Sequence, residues 1–219
     1  DELLVANSLG ISAYHRRTVG QIIAMMMGET SSGYADQTAL DVTELDPERI
    51  GRIALDKALR GQDPAEIEPG TYTVILEEDA VASMLFTLGY LGLGALAVQE
   101  GRSFMNGRFG QPVTGEQITI WDDGHDPRGI VQPFDYEGVP KQRVTLIEKG
   151  IAEAVVYDSF TAGREEGKTS TGHSLPAPNT MCPLPLNLYL APGSASKEDM
   201  LASTERGIWE PLFHHSNSV

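Results

Sequence analysis

Between Ala80 and Val98 the chain reads AVASMLFTLGYLGLGALAV, nineteen residues without a single charge. No other feature restricts the fold as strongly, because a helix that is apolar all round either lies in a protein core or spans a bilayer. The borders oppose spanning. Glu77-Glu78-Asp79 precede the run, Gln99-Glu100 follow it, and the first cation beyond is Arg102, whereas membrane spans carry aromatic and basic borders. Gly89, Gly92 and Gly94 weaken the second half as helix. The run therefore predicts a buried core helix broken near Gly92 to Gly94. A strand over Thr71 to Leu76 feeds it, and Glu78 and Asp79 sit at the positive end of its dipole.

Covering such a helix needs a sizeable core, and 41% hydrophobic with 21% charged residues in 219 positions supplies one. The 31 Asp and Glu against 16 Lys and Arg give a net charge of −15, which argues against direct contact with a nucleic-acid backbone. One cysteine, Cys182, excludes an internal disulfide framework and points to a reducing, cytoplasmic compartment. The first residues, Asp1-Glu2, show no basic leader region.

Local patterns fill in the rest. Leu3 to Met27 reads as two paired strands, LLVANSLGISAY and TVGQIIAMMMGE, followed by a loop over Gly28 to Ala35. Asp46 and Pro47 open a helix with Ile50, Ile53 and Ala54 on one face and a stop near Gly61. Ile118 to Trp121, Arg143 to Glu148 and Ala152 to Tyr157 read as strands, the last two joined by a Lys149-Gly150 turn. Thr169 to Pro185, with four prolines, reads as an extended loop. A strand over Leu188 to Leu190, a short helix capped by Ser196 and a final strand over Ile208 to Phe213 complete the chain. Many strands and few helices predict an α+β fold, with a largely antiparallel sheet or partial barrel around the buried helix.

Motifs for common chemistries are missing. There is no G-x-S-x-G elbow and no H-E-x-x-H. Gly89, Gly92 and Gly94 lie inside or after a helix, where no phosphate cradle forms. Asp122-Asp123-Gly124 lacks the spacing of a calcium loop and reads as a turn. His214 and His215, adjacent on a strand, point to opposite faces, and His173, Cys182 and His214 follow no zinc spacing. Nor does the proximity of His173 to Ser170 or Asp158 in sequence make a nucleophile and base.

Longer strings carry a resemblance. GETSSGYA (28–35), LDPERIGRIALDKAL (45–59), PGTYTVIL (69–76), EGRSFMNGRFGQPV (100–113), PFDYEGVPKQRVTLIEKG (133–150) and STGH (170–173) occur in this order. Together they resemble the C-terminal part of the TldD/PmbA family, first named for a proposed modulator of DNA gyrase. The resemblance implies that residues 1–70 hold the N-terminal strands and helix of the family fold and 71–219 its C-terminal domain. Family members continue on both sides, so neither Asp1 nor Val219 is expected to be a natural end.

In that family the TldD-like subunit holds zinc through H-E-x-x-x-H on a long helix, and the PmbA-like, or TldE-like, subunit lacks it. Ungapped counting from the Val74-Ile75-Leu76 strand and the Gly101-Arg102-Ser103 turn puts the motif on Phe86 to Leu91. Phe86 and Leu91 replace the histidines and Thr87 the glutamate. Neither apolar side chain can ligate zinc, and a threonine hydroxyl is too weak a base to activate water. The STGH string with His173 also resembles the PmbA-like branch.

The resemblance therefore implies a non-catalytic subunit without a cofactor of its own, paired with a zinc-bearing TldD-like paralogue and acting on unfolded or short peptides, with no nucleic-acid or membrane partner. The alternative is a stand-alone homodimeric scaffold or peptide-binding protein. Phe134, Asp135, Glu137, Gly138, Ser170, Thr171, Gly172 and His173 are the candidate family-motif residues.

Overall fold

A computed structural model describes residues 1–181 and 183–211. Cys182, His214, His215 and the end of the last expected strand lie outside the described residues. The chain divides into two units. The first comprises Asp1, Arg16–Val74 and Arg206–Ile208; the second comprises Glu2–His15, Ile75–Glu205 and 209–211.

In the first unit, α1 (Pro47–Arg60) begins as its sequence predicts. The Asp46 carboxylate accepts from the Arg49 N–H at 2.9 Å, Pro47 follows, and Gly61 ends the helix. Ile50, Ala54 and Ala58 are buried against the antiparallel ribbon of β3 (Gly20–Met27) and β4 (Ser32–Ala39), paired from Gly20↔Ala39 to Met27↔Ser32. The predicted Gly28–Ala35 loop is thus mostly strand, and only its first residues turn, closed by Gly28 N–H to Ser31 O at 2.8 Å. The small residues have another purpose: a Cβ on Gly33 would collide with the Ala54 carbonyl, so they let α1 lie directly on β4.

In the second unit, LLVANSLGISAY folds into two strands, β1 (Glu2–Ala6) and β2 (Ser12–Arg16). The Asn7 side chain turns the chain between them by accepting from the Leu9 and Ile11 N–H groups. The central sheet has the order β8-β7-β6-β9, built from β6 (Ile120–Asp122), β7 (Val144–Glu148), β8 (Ile151–Ala152) and β9 (Leu188–Leu190), with antiparallel neighbours. Lys149 and Gly150, at φ 47° and 82°, make the tight turn between β7 and β8. The strand expected over Ala152 to Tyr157 stops after Ala152. Glu153 and Ala154 both donate to the Leu146 carbonyl, and Val156 bonds instead to Leu93 at 3.1 Å.

Leu93, Met105, Leu146, Ile147 and Val156 form the centre of this core. The fold is α+β with antiparallel sheets, and among the described residues no sheet closes into a barrel. β5 (Thr73–Leu76) pairs with β10 (Gly207–Glu210), while α4 (Ser159–Ala162) and α5 (Lys197–Ala202) are short capped helices.

The uncharged run divides where its glycines predicted. α2 (Glu78–Gly92) ends at Leu93, Gly94 is held against the Pro183 carbonyl, and α3 (Ala95–Gln99) continues. Only the second piece is the buried helix that was expected. α3 buries Ala95 and Ala97, whereas α2 buries Ala80, Gly89 and Gly92 and leaves Met84, Phe86, Tyr90 and Leu91 exposed. One flank rests on β9 and α3; on the other, Met84, Phe86, Tyr90 and Leu91 stay exposed among the described residues. No helix among the described residues is long and apolar enough to cross a membrane.

Candidate functional site

The family-like strings 133–150 and 170–173 meet at the end of β6. Ile120, Trp121 and Asp122 are all buried, and the Asp122 side chain has no exposure. Its Oδ1 lies 2.8 Å from His173 Nε2 and 3.8 Å from Lys141 Nζ, and its Oδ2 accepts from the Asn187 N–H at 2.7 Å. On the other side of the imidazole, Nδ1 lies 2.9 Å from Thr171 Oγ1, which accepts from the Tyr157 N–H. A neutral ring with its proton on Nε2 satisfies both ends: Nε2–H donates to the carboxylate, and the threonine hydroxyl donates to Nδ1.

Asp135 joins the strings. Its carboxylate accepts from the Glu137 and Val139 N–H groups and, across the gap, from the Ser174 N–H, all at 2.9 Å. Gln142 N–H donates to the Thr171 carbonyl at 3.0 Å, and Tyr136 N–H to that of Ser174 at 3.4 Å. Gly172, at φ 78°, passes so close to the other string that a Cβ there would lie 2.5 Å from Pro140 O. Gly138, at φ 77°, packs against Ile11 and Val5, while Phe134 is buried and bridges to Pro140. Glu137 reaches outward to accept from the first N–H of α4 at 3.0 Å.

Charge in this sealed place is balanced. Burial would raise the Asp122 pKa, but the His173 hydrogen bond, the nearby charges and the Asn187 N–H together pull it below the ordinary carboxylate value. Burial depresses Lys141, although Asp122 and Asp135 oppose this. Burial also depresses His173, with the Lys141 charge adding to it and Asp122 opposing. Asp122 is thus favoured as a carboxylate with Lys141 Nζ 3.8 Å away, braced by an imidazole that burial pushes toward its neutral form.

Among the described residues of this cluster no hydrolytic nucleophile emerges. Thr171 is engaged by His173 and Tyr157, Ser170 Oγ accepts from Gly172 N–H and lies 3.3 Å from the Tyr157 carbonyl, and Asp158 caps α4 through Thr161. The arrangement clamps two loops to β6. Sequence reasoning found His173 and both strings but read Asp122 as part of a turn and passed over Lys141. The available signal for Asp122 was an acid ending the apolar run Ile118 to Trp121.

Phe86, Thr87 and Leu91 stand apart on the exposed flank of α2. Phe86 is 66% and Leu91 49% exposed, and the Thr87 hydroxyl donates back to the Ser83 carbonyl at 2.9 Å. None of the three supplies a zinc donor, so these positions do not fit the metal that the resemblance places on this helix. Among the described residues no three His, Cys, Asp or Glu side chains are grouped to hold a metal. The acids before α2 are electrostatic. Glu78 and Asp79 occupy its first turn, and buried Glu77 pairs with Lys197, whose Nζ lies 4.4 Å from the Trp209 ring centroid.

Fold and site together define an open antiparallel α+β domain that turns ionisable groups inward and its longest apolar helix outward. A family profile described as the PmbA/TldA metallopeptidase C-terminal domain matches residues 69–209. The chain is similar to the metalloprotease TldD homolog of Haemophilus influenzae, 35% identical over 115 residues, which cover 51% of this chain and 23% of that protein. It is likewise similar to the metalloprotease PmbA of Escherichia coli O157:H7, 30% identical over 158 residues, 70% of this chain and 34% of that one. A crystal structure from Thermotoga maritima, of a proposed modulator of a DNA gyrase, matches with a TM-score of 0.86 at 27% identity, over 98% of this chain and 50% of that one. The chain belongs to the TldD/PmbA metallopeptidase family. It spans between about a quarter and a half of the length of these relatives.

Proposed function

We propose that this chain is a non-catalytic, PmbA/TldE-like subunit that pairs in the cytoplasm with a zinc-bearing, TldD-like paralogue and forms part of a chamber for unfolded or short peptides. One observation carries the reading: where the family resemblance puts the zinc helix, α2 presents Phe86, Thr87 and Leu91, two apolar side chains and a hydroxyl already bonded to its own helix. Zinc and the activation of water belong to the partner. This chain contributes surface, and extended peptides can be held through backbone hydrogen bonds at an exposed sheet edge.

Metal analysis and a peptide-hydrolysis assay on the purified chain test the proposal. Less than stoichiometric zinc and no hydrolysis are expected, with activity appearing when a paralogue carrying H-E-x-x-x-H is co-expressed and co-purifies. Stoichiometric zinc with hydrolysis by this chain alone overturns the catalytic assignment. Native purification as a homodimer without a zinc-bearing partner favours the scaffold reading instead.

A further inference from the structure

We propose that Asp122, Lys141 and His173 form an acid-released latch: protonation of His173 sets two cations against one carboxylate in a sealed site and frees segment 170–174 from β6 and from the 133–141 loop. This goes beyond the subunit role and does not depend on it. The geometry is specific. Asp122 from β6 and Lys141 from the chain entering β7 have side-chain exposures of 0% and 2%, and His173 has 0%. Asp135, from the 133–141 loop, is the other charge acting on Lys141, and the His125 ring contacts the Lys141 carbonyl at 3.0 Å. No second carboxylate faces His173 among the groups acting on it.

Protonating Nδ1 requires the Thr171 hydroxyl to stop donating to it. The hydroxyl can turn to the Tyr157 carbonyl, 3.1 Å away, and then accept from the ring. No further proton acceptor is needed, so the remaining obstacle is charge: the imidazolium adds a cation where Asp122 is already balanced by Lys141. Burial and Lys141 both disfavour that charged ring. The strain falls on bonds that segment 170–174 makes outward, from Gln142 N–H to Thr171 O, Thr171 N–H to Tyr157 O and Ser174 N–H to Asp135.

Amide hydrogen exchange on the full chain at pH 7.5 and 5.5, corrected for intrinsic rates, tests the latch. Gln142, Thr171 and Ser174 are expected to lose about tenfold more protection at the lower pH than Val113 and Gly150, whose bonds lie along the β7–β8 turn away from the cluster. His173→Gln, which cannot gain the proton, is expected to abolish the selective loss. Uniform protection, or an equal selective loss in His173→Gln, overturns the proposal. A readout that does not need that variant is the ring NMR titration of His173 in the wild type and in Lys141→Met. Removing the competing cation is expected to raise the midpoint, and an unchanged midpoint overturns the latch.

Discussion

Helix α2 has no acidic or basic side chain between Ala80 and Gly92, yet Met84, Phe86, Tyr90 and Leu91 are 44–66% exposed. At the end of β6 the reverse holds: Asp122, Lys141 and His173 are sealed from water. The difference lies in partners. A buried charge is tolerable when another buried group answers it, and Asp122 is answered by Lys141, His173 and the Asn187 N–H. An apolar side chain needs only another surface to cover it, and among the described residues none covers this flank of α2. Polar groups here are satisfied inside the fold, while these apolar ones remain exposed among the described residues.

The contrast can be broken most severely at Asp122. Asp122→Ala leaves a buried cation without its counter-ion, and a loss of about 3–5 kcal/mol in urea-unfolding free energy is expected; a loss below 1 kcal/mol would mean that the cluster bears little of the fold. Gly172→Ala tests the close approach of the two loops. With φ at 78° and Pro140 O in the way, a destabilisation of about 2 kcal/mol is expected from the same unfolding curves.

Phe86→Ala sharpens the other side. A buried phenylalanine would cost about 3–5 kcal/mol on truncation, but this exposed one is expected to cost under about 0.5 kcal/mol in the isolated chain. A core-sized loss would show that α2 is covered. The smallest effect is expected at a surface ion pair. The side-chain hydrogen bond from Arg128 is the main cause holding the Asp126 carboxyl down to about 2. Carboxyl NMR should find that midpoint and, in Arg128→Gln, a rise part of the way toward 3.8, since the Arg128 backbone N–H still donates to the carboxylate, with a small loss of stability at neutral pH that solvent screening limits.

How much was legible from sequence follows the same division. α1 could be read because its start is local: an Asp cap, a proline and a small, apolar face. The α2–α3 break could be read from Gly92 and Gly94 for the same reason. β4 was obscured because Gly33 and Ala35 suggest a loop, and only the helix lying over them explains their size. Asp122 was obscured because its partner His173 is 51 residues away, and Lys141 resembles a surface lysine until its neighbours are placed. Hydropathy correctly showed that α2 avoids charge, but it cannot distinguish a side chain covered by its own fold from one awaiting another molecule.

The docked edge of α2 combines very small residues, Ala80, Gly89 and Gly92, with Leu85 and Leu88, which pack against the core, and Gly94 fixes the exit. Anchorage therefore resides along one seam, where Leu85 and Leu88 reach the core between close backbone contacts, and the exposed side chains opposite have no share in it. Such a helix is an interchangeable cassette. Its outward positions can be rewritten without disturbing the sheet beneath.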